Sequence, residues 1–249
     1  YFELGRYRMA LENFDMAIEL DAENVQAYKN RGLVYYELRA YQQAIKDYVK
    51  VIEMDPNNLT VYEYIGVADM NLNRFQQAIR SFDKAIQLEA TNVVAYYNRG
   101  ISYEGLGKYE QAIDNYDKVI GFQPTNVAAY RKRGLAYGKL GKLEKAIQSF
   151  DEIIALEPDN VGAFNDRAGL YGRLGEYRQA IQNYNKVIEL DPGNAIGHLN
   201  RGMSYIGLGQ YEQGINDYDK VLKLDPQNTE AIDRRGVALT ALGRQYFDR

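Results

Sequence analysis

Few side chains in this sequence could carry chemistry, and its bases, nucleophiles and cations come first. There is a single histidine, His198, and no cysteine. Without thiols the chain can form no disulfide, thiolate metal site or cysteine nucleophile, and one imidazole is too little for a zinc site. Carboxylates are plentiful, but Asp83, Asp117, Asp151 and Asp219 stand beside Lys84, Lys118, Glu152 and Lys220, the pattern of a solvated outer face. The glycines lack the clustered spacing of a phosphate-binding loop. The cation of most interest is Arg99 in Tyr96-Tyr97-Asn98-Arg99-Gly100, because Tyr96, Arg99 and Tyr103 are spaced i, i+3, i+7 and share one helical face. A guanidinium between two rings can hook a partner or brace the fold. The 23 tyrosines could stack on bases, yet a net charge of −4 and an isoelectric point near 5.3 oppose a nucleic-acid backbone. Nothing in these residue types resembles an active site, and no cofactor is expected.

The elements that hold these residues follow a fixed period. The five prolines are Pro56, Pro124, Pro158, Pro192 and Pro226, with successive gaps of 68, 34, 34 and 34 residues. Alanine keeps the same phase as Ala10, Ala44, Ala78, Ala112, Ala146 and Ala180, then becomes Gly214. Glycine recurs as Gly32, Gly66, Gly100 and Gly134, then Ala168, Gly202 and Gly236, and asparagine from Asn24 to Asn228 without a break. The chain is an internal-repeat array. Each period predicts two helices. The first runs from Val94 to about Leu106, between the capping Asn92 and Gly107. The second runs from Tyr109 to about Phe122, with Ala112, Ile113, Tyr116, Val119 and Ile120 on one apolar stripe, and Pro124 blocks its continuation. A two-helix unit of this size cannot bury its stripe alone, so neighbours must stack.

The run Tyr96-x2-Arg99-Gly100-x2-Tyr103, Ala112-x3-Tyr116 and Pro124 resembles the tetratricopeptide repeat pattern over 34 residues. Tyrosine, phenylalanine or histidine stands for its tryptophan, and arginine for the leucine before its glycine. The resemblance covers nearly the whole chain. It implies an all-α, right-handed superhelical solenoid of antiparallel helix pairs. Complete repeats fall at 27–60, 61–94, 95–128, 129–162, 163–196 and 197–230, with partial ones at 1–26 and 231–249. About thirteen full helices are expected. Neither end carries a polar capping helix, and the first residues show neither an initiator methionine nor a signal-peptide pattern, so the chain reads as a piece of a longer protein. The 61–94 repeat is the loosest, with Asp69, Asn73 and Ala90 in the tyrosine, glycine and proline phases.

Positions that repeat must serve stacking, and positions that vary on an equally periodic face can serve something else. Arg31, Arg99, Arg133, Arg167, Arg201 and Arg235 repeat with their aromatic neighbours, so they read as structural. Stacking on the rings and pairing with the acids before the prolines, such as Asp55, Glu157, Asp191 and Asp225, are the two ways to hold them. His198 takes an aromatic phase and reads as a packing substitute. The varying face lies on the first helices, and the resemblance implies that it lines a concave groove where peptides bind. Its candidate binding residues are Asn30, Tyr64, Tyr97, Asn98, Ile101, Arg131, Lys132, Leu135, Lys139, Asn165, Arg173, Leu199, Asn200, Met203 and Ile206. Asn30, Asn98 and Asn200 form only a partial asparagine ladder, and a lysine–asparagine carboxylate clamp is missing. Gly138, Gly169 and Gly172 on this face serve either the approach of another chain or a tight bend.

The expected function is a non-catalytic scaffold that binds a protein or peptide segment. The segment would carry acidic residues for Arg131, Lys132, Lys139 and Arg173 at one end, and apolar anchors for Leu199, Met203 and Ile206 at the other. In the competing reading these cations merely solvate the groove and pair with Asp166 and Glu104. No apolar run approaches the ~18–20 residues that span a bilayer, so no membrane insertion is expected, and the cytoplasm is the expected compartment. Two further readings stay open, a self-associating module joined through uncapped ends and a targeting array of a larger enzyme.

Overall fold

The computed structural model describes residues 2–247, and all regular structure among them is helical. The chain divides into two compact units, Tyr1–Ala129 and Tyr130–Arg249. The first holds α1 (Phe2–Leu20), α2 (Val25–Glu37), α3 (Tyr41–Met54), α4 (Leu59–Asn71), α5 (Phe75–Leu88), α6 (Val93–Gly105) and α7 (Tyr109–Phe122). The division falls within α8 (Val127–Lys139). The second unit continues with α9 (Leu143–Leu156), α10 (Val161–Arg173), α11 (Tyr177–Leu190), α12 (Ala195–Gly207), α13 (Tyr211–Leu224) and α14 (Thr229–Phe247). Fourteen helices are thus described, one more than the sequence predicts, because the two end segments each supply a 19-residue helix.

Local chemistry sets the helix ends. The Asn92 side chain accepts from the Ala95 N–H, and Asn24, Asn126, Asn160, Asn194 and Asn228 accept from the residue three further on in the same way. Asn58 makes no such bond and donates to Asp55 instead. First helices end at a left-handed residue: Gly107, Gly141, Gly175 and Gly209 have φ between +70° and +76°. Arg39 and Asn73 hold the same conformation at φ 58° and 57° without being glycine. The Lys108 N–H bonds the Tyr103 carbonyl across this turn, as Ala40 does to Tyr35 and Arg74 to Asp69. The loosest repeat therefore keeps the common turn, and α5 stops at Leu88 although Ala90 stands where other repeats have proline.

With turns this short, neighbouring helices run antiparallel, and in each unit a helix packs chiefly on those before and after it. Ala44, Ala78, Ala112, Ala146 and Ala180 are fully buried at these contacts. The recurring glycines face rings: a Cβ on Gly32, Gly66, Gly100, Gly134 or Gly202 would meet Tyr48, Phe82, Tyr116, Phe150 or Tyr218 at 2.6–2.9 Å. Ala168 replaces the glycine once and packs against Tyr184. The core of the first unit is built of such layers: Ala44, Tyr48 and Val51 with Val61 and Ile65, then Ala78, Phe82 and Ala85 with Ala95.

Candidate protein-binding face

The repeated arginines show first which residues are committed to the fold. Arg31 donates forward to both oxygens of Asp47 and backward to Asp15, each sixteen residues away. Arg99 reaches Asn115 and Asp83, Arg167 reaches Asn183 and Asp151, and Arg201 reaches Asp217 and Asn185. Arg133 donates to Ser149, and Arg235 to Asp219. The guanidinium carbons of Arg31, Arg99, Arg133 and Arg167 lie 5.1–5.5 Å from the ring centres of Tyr28, Tyr96, Tyr130 and Phe164. Hydrogen bonding to Asp47 and Asp217 holds the Arg31 and Arg201 guanidinia above their ordinary pKa. Arg31, Arg99, Arg167 and Arg201 thus tie their first helices to second helices on both sides.

This corrects two expectations from the sequence. The acids before the prolines do not pair with the arginines: Asp55, Glu157, Asp191 and Asp225 accept from the side-chain amides of Asn58, Asn160, Asn194 and Asn228. Asp83, Asp151 and Asp219 are not a merely solvated face, because they receive arginine N–H groups. His198 is buried in this lattice, with Nδ1 3.3 Å from Asp217 and Nε2 3.3 Å from the Pro192 carbonyl. Among the described residues no group of three or more His, Cys, Asp or Glu side chains could hold a metal ion.

The candidate binding residues fall on the varying face of the first helices. In the first unit this face is filled by side chains. Tyr64 stacks on Tyr48 and meets the edge of Tyr36, each at 5.5 Å, and Tyr97 lies 5.9 Å from Tyr116. Asn30 accepts from Gln26, the Asn98 carbonyl accepts from Ser102, and Ile101 is half-buried.

In the second unit the same face opens. A cleft of about 540 Å³ is lined by Leu135, Gly138 and Lys139 of α8, Asn165, Asp166, Gly169 and Arg173 of α10, and Asn200 of α12. Phe150, Leu170 and Tyr184 complete its walls. A second cleft of about 410 Å³ shares Gly169, Arg173, Tyr184 and Asn200 and adds Gly172, Tyr177, Met203 and Ser204. The structure thus gathers Leu135, Lys139, Asn165, Arg173, Asn200 and Met203. It sets the others apart. Arg131 donates to Asp166 at 3.2 Å, Lys132 is engaged within the chain, and Leu199 is half-buried. Ile206 fills the space left by Gly214, where a Cβ would meet its Cδ1 at 2.5 Å. Gly207, and Gly105 in the first unit, lie against the rings of Tyr177 and Phe75, so these two positions serve packing.

The electrostatics of the clefts are mixed. Arg173 donates to the Gly138 carbonyl and is exposed, as are Arg131 and Lys139. Burial raises the Asp166 carboxyl above its ordinary value, against the pull of Arg131. Burial likewise pushes the Tyr184 phenol up to about 12, with Asp166 adding to the rise and a hydrogen bond from Asn200 opposing it. Sequence reasoning missed Phe150, Leu170 and Tyr184. Phe150 and Tyr184 occupy the ring phase of the core and are buried, so they form the floor of the cleft and nothing in their spacing sets them apart from the other core rings.

A family model for the tetratricopeptide repeat matches residues 25–58, 127–160 and 195–228. A second, for TPR repeats, matches 1–39, 68–107, 105–141 and 170–208, more than half of the chain. The chain belongs to the tetratricopeptide repeat family. Proteins built of these repeats act as protein-interaction scaffolds, and this array falls in that class. Among solved structures, the C-terminal part of a TPR repeat-containing protein from Cytophaga hutchinsonii is 24% identical, with a TM-score of 0.81, over 93% of this chain and 95% of that one. The MamA protein is 26% identical with a TM-score of 0.64, over 69% of this chain and 94% of MamA. YrrB, described as a TPR protein with an unusual peptide-binding site, is 22% identical with a TM-score of 0.64, over 76% of this chain and 97% of YrrB. A comparison with curated proteins gives no match. No described helix of this array is long and apolar enough to cross a membrane.

Proposed function

We propose that this tetratricopeptide array is a non-catalytic scaffold that holds a segment of a partner protein on the varying face of its first helices. One observation carries the reading: the arginine lattice, buried alanines and glycine–ring contacts occupy the repeated positions, while the varying face of the second unit stays open as two adjoining clefts. Positive charge at Lys139 and Arg173, with Arg131 beside them, favours a segment with acidic residues at that end. The apolar surface of Leu135, Leu170 and Met203 favours apolar anchors.

Selection from a library of displayed random 12-residue peptides tests this. We expect retained segments to combine carboxylates with large apolar residues. Lys139→Glu together with Arg173→Glu should weaken their binding about tenfold and flatten its salt dependence, measured by titration at several ionic strengths. Arg99→Lys should lower stability and leave affinity unchanged. Unchanged affinity in the double reversal, with affinity lost in Arg99→Lys at full stability, would return the binding role to the arginine lattice. Light scattering that rises with protein concentration, in a chain that retains no peptide, would favour the self-associating reading.

A further inference from the structure

The larger cleft of the second unit has the chemistry of a pocket for one particular side chain. Its volume arises from missing side chains. The phase of Gly138 and Gly172 carries Tyr36, Met70, Glu104 and Ile206 in other repeats, and that of Gly169 carries Leu33, Val67, Ile101, Leu135 and Met203. These glycines are not held by internal packing. A Cβ on Gly172 would meet nothing within 4 Å, one on Gly169 only the Tyr184 hydroxyl at 3.8 Å, and one on Gly138 only Arg173 and Leu170 at 3.6 Å. Glycine weakens a helix interior, so keeping it where a larger residue fits points to something outside the chain that uses the room.

The lining defines what fits. Leu135, Leu170 and Phe150 supply apolar walls beside the Tyr184 ring. Independently, Asn165 in this lining has its Oδ1 shielded from solvent with no hydrogen-bond partner among the described residues. A buried acceptor left unpaired is costly, and a ligand donor would relieve it once the Asn165 amide turns its oxygen into the cleft. Asp166, raised by burial and bonded to Arg131, adds a second acceptor to the same lining. A cationic donor is disfavoured by Lys139, Arg173 and Arg131, and an aliphatic side chain would leave Asn165 unpaired.

We propose that this cleft receives one aromatic side chain bearing a neutral hydrogen-bond donor, an indole or a phenol, presented by the bound segment with its donor on Asn165. The ring supplies apolar area and the N–H or O–H the orientation. The proposal rests on the groove reading above and names the specificity of one part of it.

The test uses the isotope-labelled chain and four probes in NMR titrations: N-acetyl-tryptophanamide, N-acetyl-tyrosinamide, N-acetyl-phenylalaninamide and N-acetyl-leucinamide. The amides of Gly138, Gly169 and Gly172 and the Asn165 side-chain amide report on the cleft. The tryptophan and tyrosine amides should shift these signals, and the phenylalanine amide should bind roughly fivefold more weakly, as expected for one lost hydrogen bond. Asn165→Ala should erase that preference. Gly172→Ile and, separately, Gly138→Met should abolish the shifts while melting no lower than the parent, so that loss of binding is not loss of fold. Three results would overturn the proposal: no shift with any probe up to its solubility limit, equal binding of the phenylalanine and tyrosine amides, or shifts that survive in both filled variants. A chain that retains peptides but ignores the probes refutes the pocket alone. One that binds the probes in the cleft but retains no peptide refutes the groove reading alone.

Discussion

The two units use one construction and contrast most on one face. In both, arginines bridge helices sixteen residues apart and recurring glycines lie against rings, as Arg31 and Gly32 show in the first and Arg201 and Gly202 in the second. On the varying face, Tyr36 and Tyr64 of the first unit interlock with each other and with Tyr41 and Tyr48 of α3 at 5.5 Å, whereas the second unit places Gly138, Gly169 and Gly172 there and opens its clefts. Stacking and the opening of the clefts are therefore set by separate residue phases, and one can change while the other stays fixed.

Substitutions at glycines of the two kinds give the largest expected contrast. Gly100→Val and Gly202→Val should each cost about 3 kcal/mol or more, because the new side chain collides with a buried ring in a close-packed core. Gly172→Ile should leave the melting temperature unchanged or raise it. Thermal denaturation decides this: if Gly172→Ile melts several degrees lower, the second unit's face is packed after all and the contrast fails.

The arginines come next. Arg31→Lys and Arg201→Lys should each cost about 2 kcal/mol, since lysine cannot serve both oxygens of Asp47 or Asp217 and reach the second partner. Arg131→Lys, at an exposed pair on the varying face, should change stability by less than about 0.5 kcal/mol. Denaturant titration of the three variants checks the separation, which breaks if Arg131→Lys costs as much as the other two.

The smallest expected effect belongs to Asp69, which is buried in the first unit where other repeats carry Tyr35, Tyr103, Tyr137, Tyr171 and Tyr205. Asp47 is also buried but receives two N–H groups from Arg31, while the nearest cation of Asp69 is Arg74 at 3.9 Å. Burial raises the folded-state pKa of Asp69, with Arg74 and Arg80 opposing. An acid whose folded pKa lies above its unfolded value destabilises the fold at pH above the folded pKa, and this cost is relieved as pH falls toward the unfolded value. Asp69→Asn should thus raise the melting temperature at pH 7, and the gain should shrink toward pH 4. A gain independent of pH would show that the carboxylate charge is not its source.

Much of this protein was legible in the sequence, because periodicity is a property of the chain itself. The 34-residue spacing of Pro56 to Pro226 and of Ala44 to Ala180 marks where helices stop and touch. The apolar stripe and Pro124 place α7 at Tyr109 to about Phe122, as observed, and α6 begins and ends one residue before the expected Val94 and Leu106. The structural role of the arginines also followed from their repetition, but their partners did not: Asp15 and Asp47, sixteen residues to either side of Arg31, meet it only when three helices stack. The clefts were less legible still. Gly138 and Gly172 are visible as oddities, yet a missing side chain becomes a cavity only where no neighbour moves in, as Ile206 does over Gly214.

The turns separate the two levels most clearly. Sequence alone places a glycine in the turn phase at Gly5, Gly107, Gly141, Gly175, Gly209 and Gly243. Tertiary structure decides which of these phases bend. Arg39 and Asn73 adopt the left-handed conformation although a side chain there costs about 1 kcal/mol, because the two helices they join pack together and fix the reversal. Gly5 and Gly243 lie inside α1 and α14, where the helix continues through the same phase. Glycine permits a left-handed turn, but only the burial of one helix against the next makes the chain take it.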